Sequence, residues 1–369
     1  MRPIRMSLRV FPALAVLLIP GVCVRPALGQ HLSIANLNTV TVLSSTVPAN
    51  GDVNPYGVAR VPTTQGYLTE GNFLISNFND SGNFQGTGTT IVQISPTGSF
   101  SLFAQIDAST ISCPGGVGLT TALVALRSGF VIVGSLPTNA GLLSNADAGC
   151  LIVLDPWGNV VETFSGNHIN GPWDMTAVDG GRLAVLFVTN VLNGTVAANG
   201  KVVEGGTVVR LLLDIGQDGL PHLLDSTIVG NGFPERTDPA ALVIGPTGVA
   251  FDDETGALYV ADTLNNRIAA IPNALFRFGA SRGGITVSSG GALNGPLGLA
   301  LTPDGRLIAA NGGDGNLVQI NPFSGRQTWT KMVDSSGSPP GAGALFGLFA
   351  ASNGVYFVDD ATNTFNLLH

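Results

Sequence analysis

Six polar residues, Asn77, Ser135, Asn190, Asp262, Asn311 and Asp359, each close a short apolar run. Ahead of each stands an opening residue, Tyr56, Val117, Trp173, Thr247, Leu297 or Phe346, with Asp174 beside Trp173. Gathered at one point, the two sets would ring a pocket with amide and carboxylate oxygens and aromatic faces. Such a site suits a small molecule, a glycan or a protein segment: Tyr56, Trp173 and Phe346 supply apolar contact, while Asn77, Asp174, Asn311 and Asp359 orient the ligand. Converging Asp and Asn oxygens also suit a hard cation such as Ca²⁺. Each ring member has a second reading, because Asp and Asn at a strand end also bond the backbone of the following turn. A self-contained Ca²⁺ loop is absent: Asp52-Val53-Asn54 and Asp314-Gly315-Asn316 lack the spaced acidic ligands and the closing Glu.

Histidine narrows the chemistry. Of His31, His168, His222 and His369, only His168 precedes an opening, in Gly166-Asn167-His168-Ile169-Asn170-Gly171-Pro172. It is the candidate general base, with a solvated loop imidazole as the alternative. His222 follows Leu220-Pro221 and is expected near an outer strand on the opposite face. Three His do not assemble around zinc at one mouth, and HExxH and CxxC are absent. Glu235 and Arg236, in the charged segment 230–239, are expected in a loop on the mouth side, as ligand contacts or as an exposed ion pair. No Gly-x-Ser-x-Gly occurs, and no glycine loop joins a strand to a helix, so neither a nucleophile elbow nor a nucleotide cradle is expected.

The elements that must position these residues repeat. Gly245-Pro246-Thr247-Gly248-Val249-Ala250-Phe251 runs through a turn to Leu258-Tyr259-Val260-Ala261-Asp262 and then Arg267-Ile268-Ala269-Ala270-Ile271. About fifty residues on, Gly295-Pro296-Leu297-Gly298-Leu299 repeats the opening, and looser copies begin near Pro55, Gly116, Pro172 and Leu345. Six openings imply six small sheets, because a single such sheet cannot bury both faces without neighbours. The reading is an all-β fold, a six-bladed β-propeller. In that architecture the inner strand begins, and the second strand ends, at the same mouth of a central channel. The early repeats are longer, and their surplus, 79–89, 137–149 and 191–206, falls between second and third strands, so it should emerge on one face. The last repeat stops one strand short. The β-branched run near 36–45 has no blade of its own and is expected to supply that strand beside 364–368, closing the ring.

The first 29 residues carry four Arg, no acid and an apolar run at 11–20, with Ala27-Leu28-Gly29 before Gln30. They read as a cleaved secretory signal, leaving one domain at 30–369 and a secreted or periplasmic product. That apolar run is too short to span a membrane, and Val22 before Cys23 does not suit a lipoprotein cleavage site. Net charge, −8 for the whole chain, becomes −12 once 12 basic residues face 24 acids, so a nucleic-acid partner is not expected. The mature chain is expected to be a monomer. Cys113 and Cys150 survive cleavage and either form a disulfide or remain two buried thiols.

The stretch 245–271, with Leu258-Tyr259-Val260-Ala261-Asp262 and Asn265-Asn266-Arg267-Ile268, resembles the NHL repeat, and 295–320 is similar to a degenerate second copy. NHL repeats form six-bladed propellers, which agrees with the count of openings. Two similar enzyme families extend the resemblance. Gluconolactonase-like propellers hold a divalent metal through a Glu, an Asn and an Asp; the resemblance puts Asn190 and Asp262 in the latter two places, with no Glu at a ring position. Streptogramin lyase-like propellers use a His with a metal at the mouth, for which His168 is the counterpart. The expectation is therefore a binding module with its site at the mouth; the alternatives are a metal-assisted lactonase or lyase, or a structural envelope scaffold.

Overall fold

The computed structural model describes residues 32–142, 148–239 and 241–369; residues 1–29, expected to be a signal, His31 and part of the loop at 137–149 lie outside them. The described chain forms six small antiparallel sheets arranged as the six blades of a β-propeller. The innermost strands are Val53–Arg60, Leu119–Ala125, Pro172–Asp179, Pro246–Asp252, Pro296–Leu301 and Leu345–Ala351. Each pairs with a second strand that carries a residue of the polar ring at or near its end, from Asn77, two residues before the end in blade 1, to the terminal Asp359 in blade 6. The second strands are buried almost throughout, as Phe73–Asn79 is, because both faces of each sheet pack on neighbouring blades. Continuous apolar runs, rather than a two-residue alternation, follow from that double burial.

All six inner strands share an irregularity in register just after the residue that faces the polar ring, at Pro55/Val58 and its five equivalents. The third residue of the opening there is glycine in four blades, and the reason is steric. A Cβ on Gly298 would run into the carbonyl oxygen of Phe346, and one on Gly347 into that of Tyr56. Neighbouring inner strands thus meet backbone to backbone, and their side chains turn away to fill the spaces between blades. Those spaces are apolar: Met175, Leu186 and Val188 pack against Ile132 and Leu151 between blades 2 and 3, and Leu299 and Leu307 against Tyr259 and Ile268 between blades 4 and 5.

The ring closes as expected. Val40–Ser45 pairs antiparallel with Thr364–Leu368, in register from Val40 opposite Leu368 to Ser45 opposite Thr364, and supplies the outermost strand of blade 6. Cys113 and Cys150 form a disulfide with their Cα atoms 5.6 Å apart, tying the approach to blade 2 to its third strand. Blade 3 departs from the simple repeat. Its third and fourth strands, Val203–Ile215 and Pro221–Asp238, extend past the others, and the latter turns back into Leu242–Ile244. The segment 230–239 is therefore largely strand and not the exposed loop its charges suggest. Its glycines and prolines are accommodated by repeated register shifts along this hairpin.

Two outcomes follow. Deleting residues 36–45 strips blade 6 of its outer strand, so the melting temperature should fall markedly; an unchanged melting curve would mean that the ring is held elsewhere. Replacing Cys113 and Cys150 by Ser should lower stability in denaturant titrations by roughly 3–4 kcal/mol, the chain-entropy value for a closed loop of this length.

Candidate functional site

Of the opening residues, Tyr56, Trp173, Leu297 and Phe346 converge at the axis, whereas Val117 packs in the seam between blades 1 and 2, because the inner strand of blade 2 begins two residues later with Leu119 opposite Ser135. Tyr56 stacks on Phe346 with ring centroids 4.0 Å apart, meets Trp173 edge-on at 5.9 Å, and touches Phe78 at 4.9 Å. They do not stand open to solvent. Leu136, Val191 and Leu192 from the long loops, together with Leu242 and Val243 from the blade 3 hairpin, pack with Tyr56, Trp173, Leu297 and Phe346 into one buried cluster. Tyr56 is 3% exposed and Trp173 2%. This end of the channel is filled by an apolar plug.

The polar ring is buried beneath the same face, and most of its hydrogen bonds go to backbone. Asn190 accepts the Asn170 N–H through Oδ1 at 2.8 Å. Asn311 accepts the Asn294 N–H and donates to the Ala292 carbonyl. Ser135 bonds Gly116 and Gly118, and Asn77 donates to the Thr46 carbonyl and to Thr90 Oγ1. Asp359 accepts the Thr362 N–H. Asp262 takes the Arg267 Nε–H at 2.6 Å and the Asn265 amide on one oxygen, Oδ2, while its Oδ1 is buried without a partner in the protein.

Asn190 and Asp262 do not fit a divalent metal in this arrangement. The Asn190 oxygen is committed to backbone, and Arg267 already neutralises the Asp262 carboxylate. One free buried oxygen falls far short of the six to eight that Ca²⁺ takes. Among the described residues no group of three or more His, Cys, Asp or Glu side chains gathers to hold a metal ion.

His168 lies away from the axis. Its backbone is left-handed, with φ +67°, and Nδ1 sits 2.9 Å from the Ser226 hydroxyl on the outer strand of blade 3. His222 pairs with Asp218 at 2.9 Å, also on blade 3. Glu235 is wholly buried beneath the loop 191–206, where one oxygen accepts the Asn193 N–H and the other has no partner; burial pushes its carboxyl up to about 8. Arg236 pairs with Asp238 at 2.7 Å. Burial also raises Asp359, to about 6 with Asp334 beside it, and Asp360, to about 7 with Asp359 beside it.

Below the plug the channel is hollow. A cavity of about 340 Å³ is lined by the far halves of the inner strands, from Val58 to Arg60 in blade 1 and their counterparts in the other blades. It leads toward the face that carries the first turn of each blade, opposite the plug. The inner edges of the strands have no neighbour on the axis, so backbone N–H and C=O groups border it. Only two of its lining residues ionise, Asp174 and Arg60. Asp174 stands third in Pro172-Trp173-Asp174, where four other blades place glycine. Its two oxygens accept the Met175 N–H at 2.8 Å and the Val249 N–H of blade 4 at 3.1 Å, bridging the seam that backbone contact closes elsewhere. Protein encloses this carboxyl except where it borders the cavity, and the loss of water drives it up to about 8 despite the two N–H bonds. Asp174 was legible in the sequence; Arg60 was not, although a strand ending in Arg where blade 2 ends in Ala125 is a visible signal.

No protein-family model and no curated protein matches this chain. Among solved structures, a gluconolactonase from Xanthomonas campestris superposes with a TM-score of 0.53 at 14% identity, covering 89% of this chain and 88% of that one. A streptogramin B lyase gives 0.52 at 12% identity, over 89% of this chain and 96% of that one. A virginiamycin B lyase from Staphylococcus aureus gives 0.52 at 12%, over 89% and 98%. At such identities the likeness is one of fold. Among the described residues no helix is long and apolar enough to cross a membrane.

The raised Asp174 makes a pH prediction. Between about pH 4, where the unfolded carboxyl ionises, and about pH 8, the native state holds a proton that the unfolded state has lost, so stability declines as pH rises. Asp174→Asn removes that contribution. Its melting temperature, measured against wild type, should improve progressively from about pH 5 to about pH 8; a constant difference across the range would mean that the native carboxyl ionises as in water.

Proposed function

We propose that this chain is a binding propeller that takes a small polar molecule into its channel from the face opposite the plug. The observation that carries the reading is Asp174: where four of the other five inner strands have glycine, one blade puts a carboxyl into the wall of a cavity of small-molecule size. Tyr56, Trp173 and Phe346, expected to touch the ligand, would instead set the depth of the cavity, and Asn77, Asn311 and Asp359 would hold the turns above it. The NHL-like character of 245–271 rests on the residues that carry it. Export of the chain as a secreted or periplasmic monomer is part of the same proposal, and the Cys113–Cys150 disulfide supports it, since such bonds persist in oxidising compartments.

A second reading is favoured by the structural neighbours, which include a gluconolactonase and two streptogramin-type lyases. In that case the bound molecule is turned over, with Asp174 as proton donor or acceptor, because a carboxyl held near 8 can carry a proton at neutral pH. This reading assigns no role to Asn190, Asp262 or His168.

Thermal-shift screening of a polar small-molecule library, followed by titration of the hits, tests both. Under the first reading, hits bind unchanged over hours and weaken about ten-fold or more in Asp174→Gly, which puts the residue of the four sibling blades there and removes the polar group altogether, about the cost of one hydrogen bond. Unaltered affinity in that variant would move the site out of the channel. Conversion of a hit by wild type but not by Asp174→Asn establishes the second reading. Elemental analysis of protein purified without chelator bears on metal assistance: one tightly held divalent ion per chain would overturn the metal-free form of both.

A further inference from the structure

Arg60 stands out among the cations by its place. Arg182, Arg210, Arg236, Arg267, Arg282 and Arg306 each lie within 4 Å of an acidic side chain. Arg60, like Arg127, Arg277, Arg326, Lys201 and Lys331, shows no acidic partner among the described residues, and it alone of these lines the cavity, exposed at the end of an inner strand. In a chain with a net charge of −8, an arginine left without a carboxylate at the rim of the channel is a free anion receptor, since its fork matches a carboxylate bidentately. The other lining groups are neutral at this end: strand edges, aliphatic side chains, Thr121 and Thr176. One guanidinium compensates one negative charge, which favours a monoanion over a phosphate dianion in an acidic protein.

Resting on the reading of the channel as the binding site, we propose that its ligand is a small monocarboxylate with a hydrogen-bond acceptor at its other end. The carboxylate pairs with Arg60 at the rim, and the acceptor reaches inward to the Asp174 carboxyl. The order is set by the fold: Arg60 closes its inner strand at the open side, whereas Asp174 stands at the third position of its opening, next to the plug residue Trp173. The size is set by the cavity, since about 340 Å³ holds a compact metabolite and not a polymer. The burial that keeps Asp174 protonated makes it a donor, so a ketone or ester oxygen suits it better than an ammonium group.

The test uses the full mature protein labelled with methyl-¹³C methionine. Met175 lines the cavity, whereas Met332 lies exposed on the outer strand of blade 5 and serves as the internal control. Acetoacetate and levulinate are titrated in parallel with their uncharged methyl esters, on wild type and on Arg60→Gln. The expected result is a saturable shift of the Met175 methyl with one of the acids, Met332 unmoved, an affinity lower by about ten-fold or more in Arg60→Gln, and weak ester binding that Arg60→Gln leaves alone. Esters that bind as well as the acids, with Arg60→Gln indifferent to both, would overturn the carboxylate inference and leave the channel as the site. A Met175 methyl that neither acids nor esters move would remove the channel reading for this class of ligand, and the present inference with it.

Discussion

The close approach of six strands to one axis is the constraint from which the rest of the molecule follows. At that radius the inner strands meet backbone to backbone, and a Cβ at Gly298 or Gly347 would strike the next blade's carbonyl oxygen. Side chains are therefore expelled from the axis into the seams between blades, where they build the cores. Hydroxyls stitch the same seams. In blade 1 the Ser76 hydroxyl accepts the Gly57 N–H and donates to Thr120 of blade 2, and in blade 3 Thr189 does the same between Asp174 and Thr247 of blade 4. A hollow tube edged with backbone polar groups is what remains in the middle.

The polar ring has its origin in the same geometry. Each inner strand is reached by a turn that folds back over the end of the second strand, which buries the turn's own N–H and C=O groups. A buried polar group left unpaired costs about 1–3 kcal/mol, and the side chain nearest to hand is the last residue of the second strand. Asn190 on Asn170, Asn311 on Asn294 and Ala292, and Ser135 on Gly116 and Gly118 all meet that need. Recurrence around the ring thus reflects a recurring backbone requirement, which occupies the side-chain oxygens of Asn190 and Asn311 and leaves that of Asn77 without a partner in the protein.

How much of this the residues announced depends on range. The blade count, the antiparallel order, the closing strand near 36–45 and the position of the long loops are local patterns repeated, so spacing alone revealed them. The plug is different, because nothing in Tyr56, Trp173 or Phe346 says whether an aromatic ring faces water or another ring. That was decided by the hairpin of blade 3, whose sequence from Gly230 to Pro239 carries two glycines, two prolines and three charged residues and so looks like a loop. Long register-shifted strands in a cover are invisible to a period-based reading, since their pairing is set by the surface beneath them. His168 was misplaced for a related cause: three successive left-handed residues, Gly166, Asn167 and His168, swing it outward onto Ser226.

In a repeat structure, features shared by all blades serve the shared scaffold, and specific chemistry must come from positions where one blade departs from its siblings. Tests of symmetry therefore discriminate better than tests of polarity. Asn at the end of a second strand recurs and has a scaffold explanation. Asp174 has no counterpart: Gly57, Gly248, Gly298 and Gly347 occupy its place in four blades, and a carboxyl there must lose its hydration, which drives its proton affinity up. A glycine would close the same seam at no such electrostatic penalty, as it does between blades 5 and 6. Arg60 departs likewise, as the one cation on a wall otherwise built from neutral residues and Asp174. Two departures from six-fold likeness face a single cavity, one deep and one at its rim, and the scaffold needs neither, which is why the chemistry of this propeller belongs to the channel and not to the ring above it.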